Sequence, residues 1–79
     1  MHLSGMQEVE KTTLRDISNR IKKLRKEAGF TSHEKFAHYI GMDPKNYYNI
    51  ENGANFTLAT LLRISAGLEI SLSELFRNF

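Results

Sequence analysis

Residues 32–53 read SHEKFAHYIGMDPKNYYNIENG, and how this stretch is assigned decides the fold. Phe36, Ala37 and Ile40 recur at helical spacing, which marks a short helix. Gly41 supplies the permissive backbone of a sharp turn, and Met42 gives that turn an apolar plug. Asp43-Pro44 is a helix start: the carboxylate caps free amides, and proline at the first helical position gives up no hydrogen bond. Tyr47 and Ile50 then turn inward toward the first helix, so Lys45, Tyr48 and Asn49 face out. Two short helices crossing steeply over a small turn form a helix-turn-helix, whose second helix is shaped to enter the DNA major groove.

The composition limits what can surround this unit. A chain of 79 residues is one small domain, so every apolar helix face is needed for the core. There is no cysteine, which removes disulfides and thiolate metal sites. No apolar run reaches membrane-spanning length and the N-terminus lacks the apolar block of a signal peptide, so a cytoplasmic protein is expected. The net charge of +2 is mild, but its distribution is uneven. Lys11, Arg15, Arg20, Lys22, Lys23, Arg25 and Lys26 lie in one segment opposed only by Asp16. Such a run is either a solvated helix face or a face that meets phosphates.

Upstream of the central stretch, residues 1–11 show no periodicity and few large apolar residues. They read as a flexible tail, with the domain proper at residues 12–79. Leu14, Ile17, Ile21, Leu24 and Ala28 form one apolar stripe on a long first helix, with Thr13 and Asp16 as its capping pair and Gly29 as its end. Phe30 follows and is expected to pack beside the next helix start. Ser32 is the best cap there, and Thr31 with Glu34 offers a competing capping box.

Downstream, Asn52-Gly53 stops the third helix and Thr57 caps a fourth. Leu58, Leu61, Leu62 and Ile64 are its expected apolar face, and Gly67 is expected to end or weaken it. Ser71 and Glu74 make a capping box for a short fifth helix that buries Leu72, Leu75 and Phe76. No segment alternates with period two. The expected class is all-α, five helices around one core, with the second and third as the helix-turn-helix.

From about Ile17 to Phe76 the chain resembles the lambda-repressor-like helix-turn-helix domain of the XRE family. The resemblance rests on Arg25, Ser32-His33-Glu34, Phe36-Ala37, Ile40-Gly41-Met42 and Ile50-Glu51-Asn52-Gly53. It continues through Leu61-Leu62, Leu68, Ile70-Ser71 and Glu74-Leu75. It implies a transcriptional regulator that binds a double-stranded DNA operator as a homodimer and reads the major groove with helix 44–51. It also implies that Pro44, Lys45 and Asn49 face bases, with Tyr48 at the edge of that face. Lysine suits guanine acceptors, and asparagine suits adenine. Ser32, His33 and Asn52 match positions that face phosphates. Arg25 matches an arginine that pairs with the glutamate at Glu51 and also faces a phosphate, and Lys26 beside it is within reach of the DNA backbone alone. Ala37 and Gly41 are structural: one must be small under the crossing helix, the other must turn.

The chain departs from the family pattern in places. His33 stands where glutamine is usual, and Tyr47 where a small branched residue is usual. The connection before the second helix is one residue longer, and the loop after Gly53 carries no arginine or lysine. A rival use of the same fold is a protein-interaction module, such as an antitoxin-like partner. Its mark would be a large apolar surface patch. Catalysis finds no support: His33 and His38 do not share a helix face, and the serines and carboxylates are better used as caps. No cofactor, metal, membrane or small-molecule ligand is expected.

Overall fold

The computed structural model of the chain describes residues 3–77 and 79. Five helices follow one another: α1 (Leu3–Glu27), α2 (His33–Tyr39), α3 (Pro44–Glu51), α4 (Leu58–Leu68) and α5 (Leu72–Leu75). The described residues contain no strand. The core takes Ile17 and Ile21 from α1, Phe36 and Ala37 from α2, Tyr47 and Ile50 from α3, Leu61, Ile64 and Leu68 from α4, and Leu75 from α5. Phe30 packs edge-on against Phe36, with ring centroids 5.0 Å apart, and so closes the connection between α1 and α2.

Local chemistry sets the boundaries of the four later helices. Ser32 Oγ accepts the Lys35 amide at 3.1 Å, Asp43 Oδ2 that of Asn46 at 3.0 Å, and Thr57 Oγ1 that of Thr60 at 3.1 Å. Ser71 and Glu74 complete a reciprocal capping box. The turn between α2 and α3 closes in two bonds: Gly41 N–H donates to the His38 carbonyl and Met42 N–H to the Ala37 carbonyl. This closure requires the left-handed backbone found at Gly41, where φ is +72°, and L side chains resist that conformation.

The first helix differs from the sequence reading. It begins at Leu3, so residues 3–11 are helical where an irregular tail was expected, and Met1 and His2 lie outside the described residues. Thr13 and Asp16 therefore sit within the helix and do not cap it. Missing apolar periodicity meant only that this segment has no core to face: Glu8 through Thr13 are all exposed. Once a helix is anchored, each added residue gains a hydrogen bond without a new nucleation step. Ala28, at the other end of the stripe, is exposed as well.

Two further expectations on α4 are corrected. Gly67 lies inside the helix and does not end it; a Cβ there would fall on Ile40 Cγ2 and press on the Phe36 ring, so glycine lets α4 approach α2. The helix instead closes on Glu69, which adopts the left-handed conformation at φ +59°. Leu58 and Leu62 point outward, 64% and 49% exposed, while Leu61 and Ile64 carry the buried face.

Candidate nucleic-acid interface

The exposure pattern of α3 divides it lengthwise. Tyr47, Ile50 and Glu51 are buried, whereas Lys45, Tyr48, Asn49 and Asn52 are exposed. At about 100° per residue these four positions fall on one arc of the helix, opposite Tyr47 and Ile50, with exposed Asn46 at its edge. Pro44, at the first turn, is half-buried and lines the edge of this arc.

Beneath the arc a buried polar network holds α3 on α1. Arg25 forks onto Glu51: Nε donates to Oε2 at 2.7 Å and Nη2 to Oε1 at 3.1 Å. Arg25 Nη1 donates to the Phe30 carbonyl at 2.7 Å, and Tyr47 Oη donates to Glu51 Oε2 at 2.5 Å. The hydrogen bond to Glu51 holds the Arg25 pKa above its ordinary value, against the opposing effect of burial. Burial, then the bond to Glu51, pushes the Tyr47 phenol far above the usual range. Tyr47 thus fills the space left for a smaller residue and also supplies a third donor to the carboxylate.

This network corrects the role given to Arg25. It is 3% exposed and its donors are engaged inside the domain, so it is not presented to a phosphate. The pairing also withdraws the Glu51 charge from the exposed arc, leaving Lys45 as the charged side chain there. Arg20, from the same basic run, is likewise turned inward: it donates to the Glu74 and Leu75 carbonyls and fastens the end of α5 to α1.

Ser18 is a contact the sequence reading missed. Its buried hydroxyl donates at 2.6 Å to the Ile50 carbonyl, which also accepts the Gly53 amide at the end of α3. The available signal was a small polar residue between Ile17 and Ile21, seven residues before Arg25 on the same helix side. Lys11, Arg15, Lys22 and Lys26 are exposed, and helical spacing puts them beside the Ser18–Arg25 line that meets α3.

The rim of the arc comes from α2 and the end of α3. Ser32 and His33 are half-buried at the start of α2. The His33 ring lies 4.9 Å from that of Tyr48, tilted by 53°. Asn52 Nδ2 donates to the Tyr48 carbonyl at 2.8 Å, which ties this residue into the turn while leaving its side chain exposed. A shallow cleft of about 420 Å³ runs between His33, Glu34, Pro44, Lys45 and Tyr48.

A helix-turn-helix pair with one exposed polar arc and a basic flank defines a DNA-binding module. Residues 21–75 match the helix-turn-helix family model, and the chain belongs to that family. It is a DNA-binding transcriptional regulator. Among known proteins it is similar to Control protein C.MunI of Mycoplasma sp, 54% identical over 63 residues that cover 78% of this chain and 85% of that protein. No solved structure gives a significant match. Among the described residues no helix is long and apolar enough to cross a membrane.

Proposed function

We propose that the protein is a sequence-specific regulator that lays α3 in the major groove of a double-stranded operator. The observation that carries this reading is the exposure of Lys45, Tyr48, Asn49 and Asn52 on one arc while Tyr47, Ile50 and Glu51 are buried. Lys45 and Asn49 are the base readers, one turn apart, with Pro44 and Tyr48 beside them. Ser32, the His33 backbone at the start of α2 and Asn52 hold phosphates at the rim, and Lys26 meets the backbone from α1. Of the roles small chains of this family take, the name of the similar Control protein favours a controller over a phage repressor or an antitoxin. The protein acts on DNA in the cytoplasm.

A single domain of this size covers little DNA, so the working unit is a homodimer on two half-sites. Phe79 is 56% exposed and packs edge-on with half-buried Phe76, which supports a seam at the C-terminus. Leu75 is wholly inside its own core and takes no part in it. Exposed Leu58 and Leu62, one turn apart on α4, favour the rival reading of a protein-binding module. Selection from a random duplex pool, followed by anisotropy titrations across a salt series, decides between them. A preferred two-fold site with steeply salt-dependent affinity supports the regulator. Micromolar or weaker binding to every sequence at low salt refutes it.

A further inference from the structure

We propose that His33 and Tyr48 together form a seat for the 5-methyl group of a thymine, with Tyr48 touching the base and His33 acting as a positioning residue. The inference rests on the reading of α3 as the groove-entering helix. It adds a determinant of a different kind from the hydrogen-bonding Lys45 and Asn49.

Tyr48 is 48% exposed, and an exposed tyrosine on a helix surface ordinarily retains freedom about its side-chain torsions. Here one side of its ring is covered by His33, with centroids 4.9 Å apart. The His33 backbone is fixed as the first residue of α2, directly after the Ser32 cap, and its side chain is half-buried. The brace comes from another helix, so the ring is oriented before DNA arrives and less ordering entropy remains to be lost on binding.

The cleft beside the stack has the chemistry of an apolar contact. Three of its five lining residues present rings, those of His33, Pro44 and Tyr48, and Lys45 adds an alkyl stem. Proline at the helix start carries no backbone N–H. The remaining liner is Glu34, whose carboxylate offsets the Lys45 ammonium, so the cleft lacks the net positive charge that would gather a phosphate. The occupant is therefore a base edge and not the DNA backbone. In the major groove the carbon group that base pairs display is the thymine methyl, and aromatic side chains take it by apolar contact.

The test is a scan of the selected operator in which each thymine is replaced in turn by deoxyuridine, which removes only the methyl. The parent protein should show one thymine per half-site whose replacement weakens binding about fourfold, as for one buried methyl group. Tyr48→Ala and His33→Ala should each bring that ratio to about one. His33→Phe, which keeps a ring but no hydrogen-bonding nitrogen, should retain the parent ratio. A parent that selects a site yet ignores deoxyuridine at every thymine overturns the methyl seat alone. So does a parent ratio in Tyr48→Ala. A parent ratio in His33→Ala, or its loss in His33→Phe, overturns the positioning role. A parent that prefers no duplex overturns the groove-entering reading and this inference with it.

Discussion

Glu51→Ala is expected to be the most damaging single change to the recognition helix. Glu51 is 6% exposed and accepts three hydrogen bonds, two from Arg25 and one from Tyr47. Its removal leaves the buried Arg25 guanidinium with the Phe30 carbonyl as its remaining partner. Breaking a buried pair from one side costs about 3–5 kcal/mol, because an uncompensated charge stays behind. A domain of this length has a total stability of about 4–12 kcal/mol, so the variant loses a large share of it and unfolds at a much lower urea concentration. Urea denaturation followed by circular dichroism measures the loss. Changing Arg25→Met, Tyr47→Phe and Glu51→Leu together should recover most of it, since only the part-buried Phe30 carbonyl is then left without its donor. A cost below about 1 kcal/mol, the worth of a surface pair, would refute a buried charge left uncompensated by Glu51→Ala. The network also has a pH signature. The folded chain holds the Tyr47 proton more tightly than the unfolded chain does. That contribution is complete below the ordinary phenol value of about 10 and is lost as pH rises above it. Stability should therefore fall in alkali, and Tyr47→Phe should remove that component of the fall.

Asn49→Ala should cost about 1–3 kcal/mol on the selected site and relax choice at one base pair. Lys26→Ala should instead weaken binding to all sequences alike and lower the salt slope by about one, both read from titrations on single-base site variants. Ala37→Leu should destabilise by about 1–3 kcal/mol through overpacking of a fully buried site. Gly41→Val should lose about 1–2 kcal/mol from backbone strain alone, since a Cβ there meets nothing within 4 Å; denaturant midpoints check both. Glu69→Gly should raise stability by about 1 kcal/mol by relieving the left-handed residue that closes α4, and Gly67→Ala should lower it despite alanine's better helix propensity. Phe79→Asp should shift sedimentation from dimer toward monomer, and a dimer untouched by the change moves the seam elsewhere.

Four helix starts were legible residue by residue, because capping is local chemistry. Ser32, Asp43, Thr57 and Ser71 each need a hydroxyl or carboxylate a few atoms from an amide three residues on, and the sequence alone states that. The helix-turn-helix was legible for the same reason: Ala37, Gly41 and Asp43-Pro44 specify a small contact, a turn and a restart within seven positions. So was the division of α3 into Tyr47 and Ile50 inside and Lys45, Tyr48 and Asn49 outside. The pairing of Arg25 with Glu51 came from family resemblance, and local spacing did not imply it.

Distance along the chain hid the rest. Whether residues 3–11 are helical depends on an anchored α1 from which a helix can propagate, not on any face of their own. Leu58 and Leu62 look like core residues in a helical pattern, but the number of apolar faces α4 buries is set by how many neighbours surround it. Gly67 reads as a helix end, and only the approach of Ile40 and Phe36 explains it inside α4. Arg20 and Arg25 are indistinguishable in sequence from Lys22 and Lys26 as members of a basic run. Their inward turn is decided by carbonyls and a carboxylate that lie 5 to 55 residues away. The stack of His33 on Tyr48 joins two helices in the same way. Caps and turns are settled by neighbours in sequence. Burial, charge pairing and the shape of the exposed α3 surface are settled by neighbours in space.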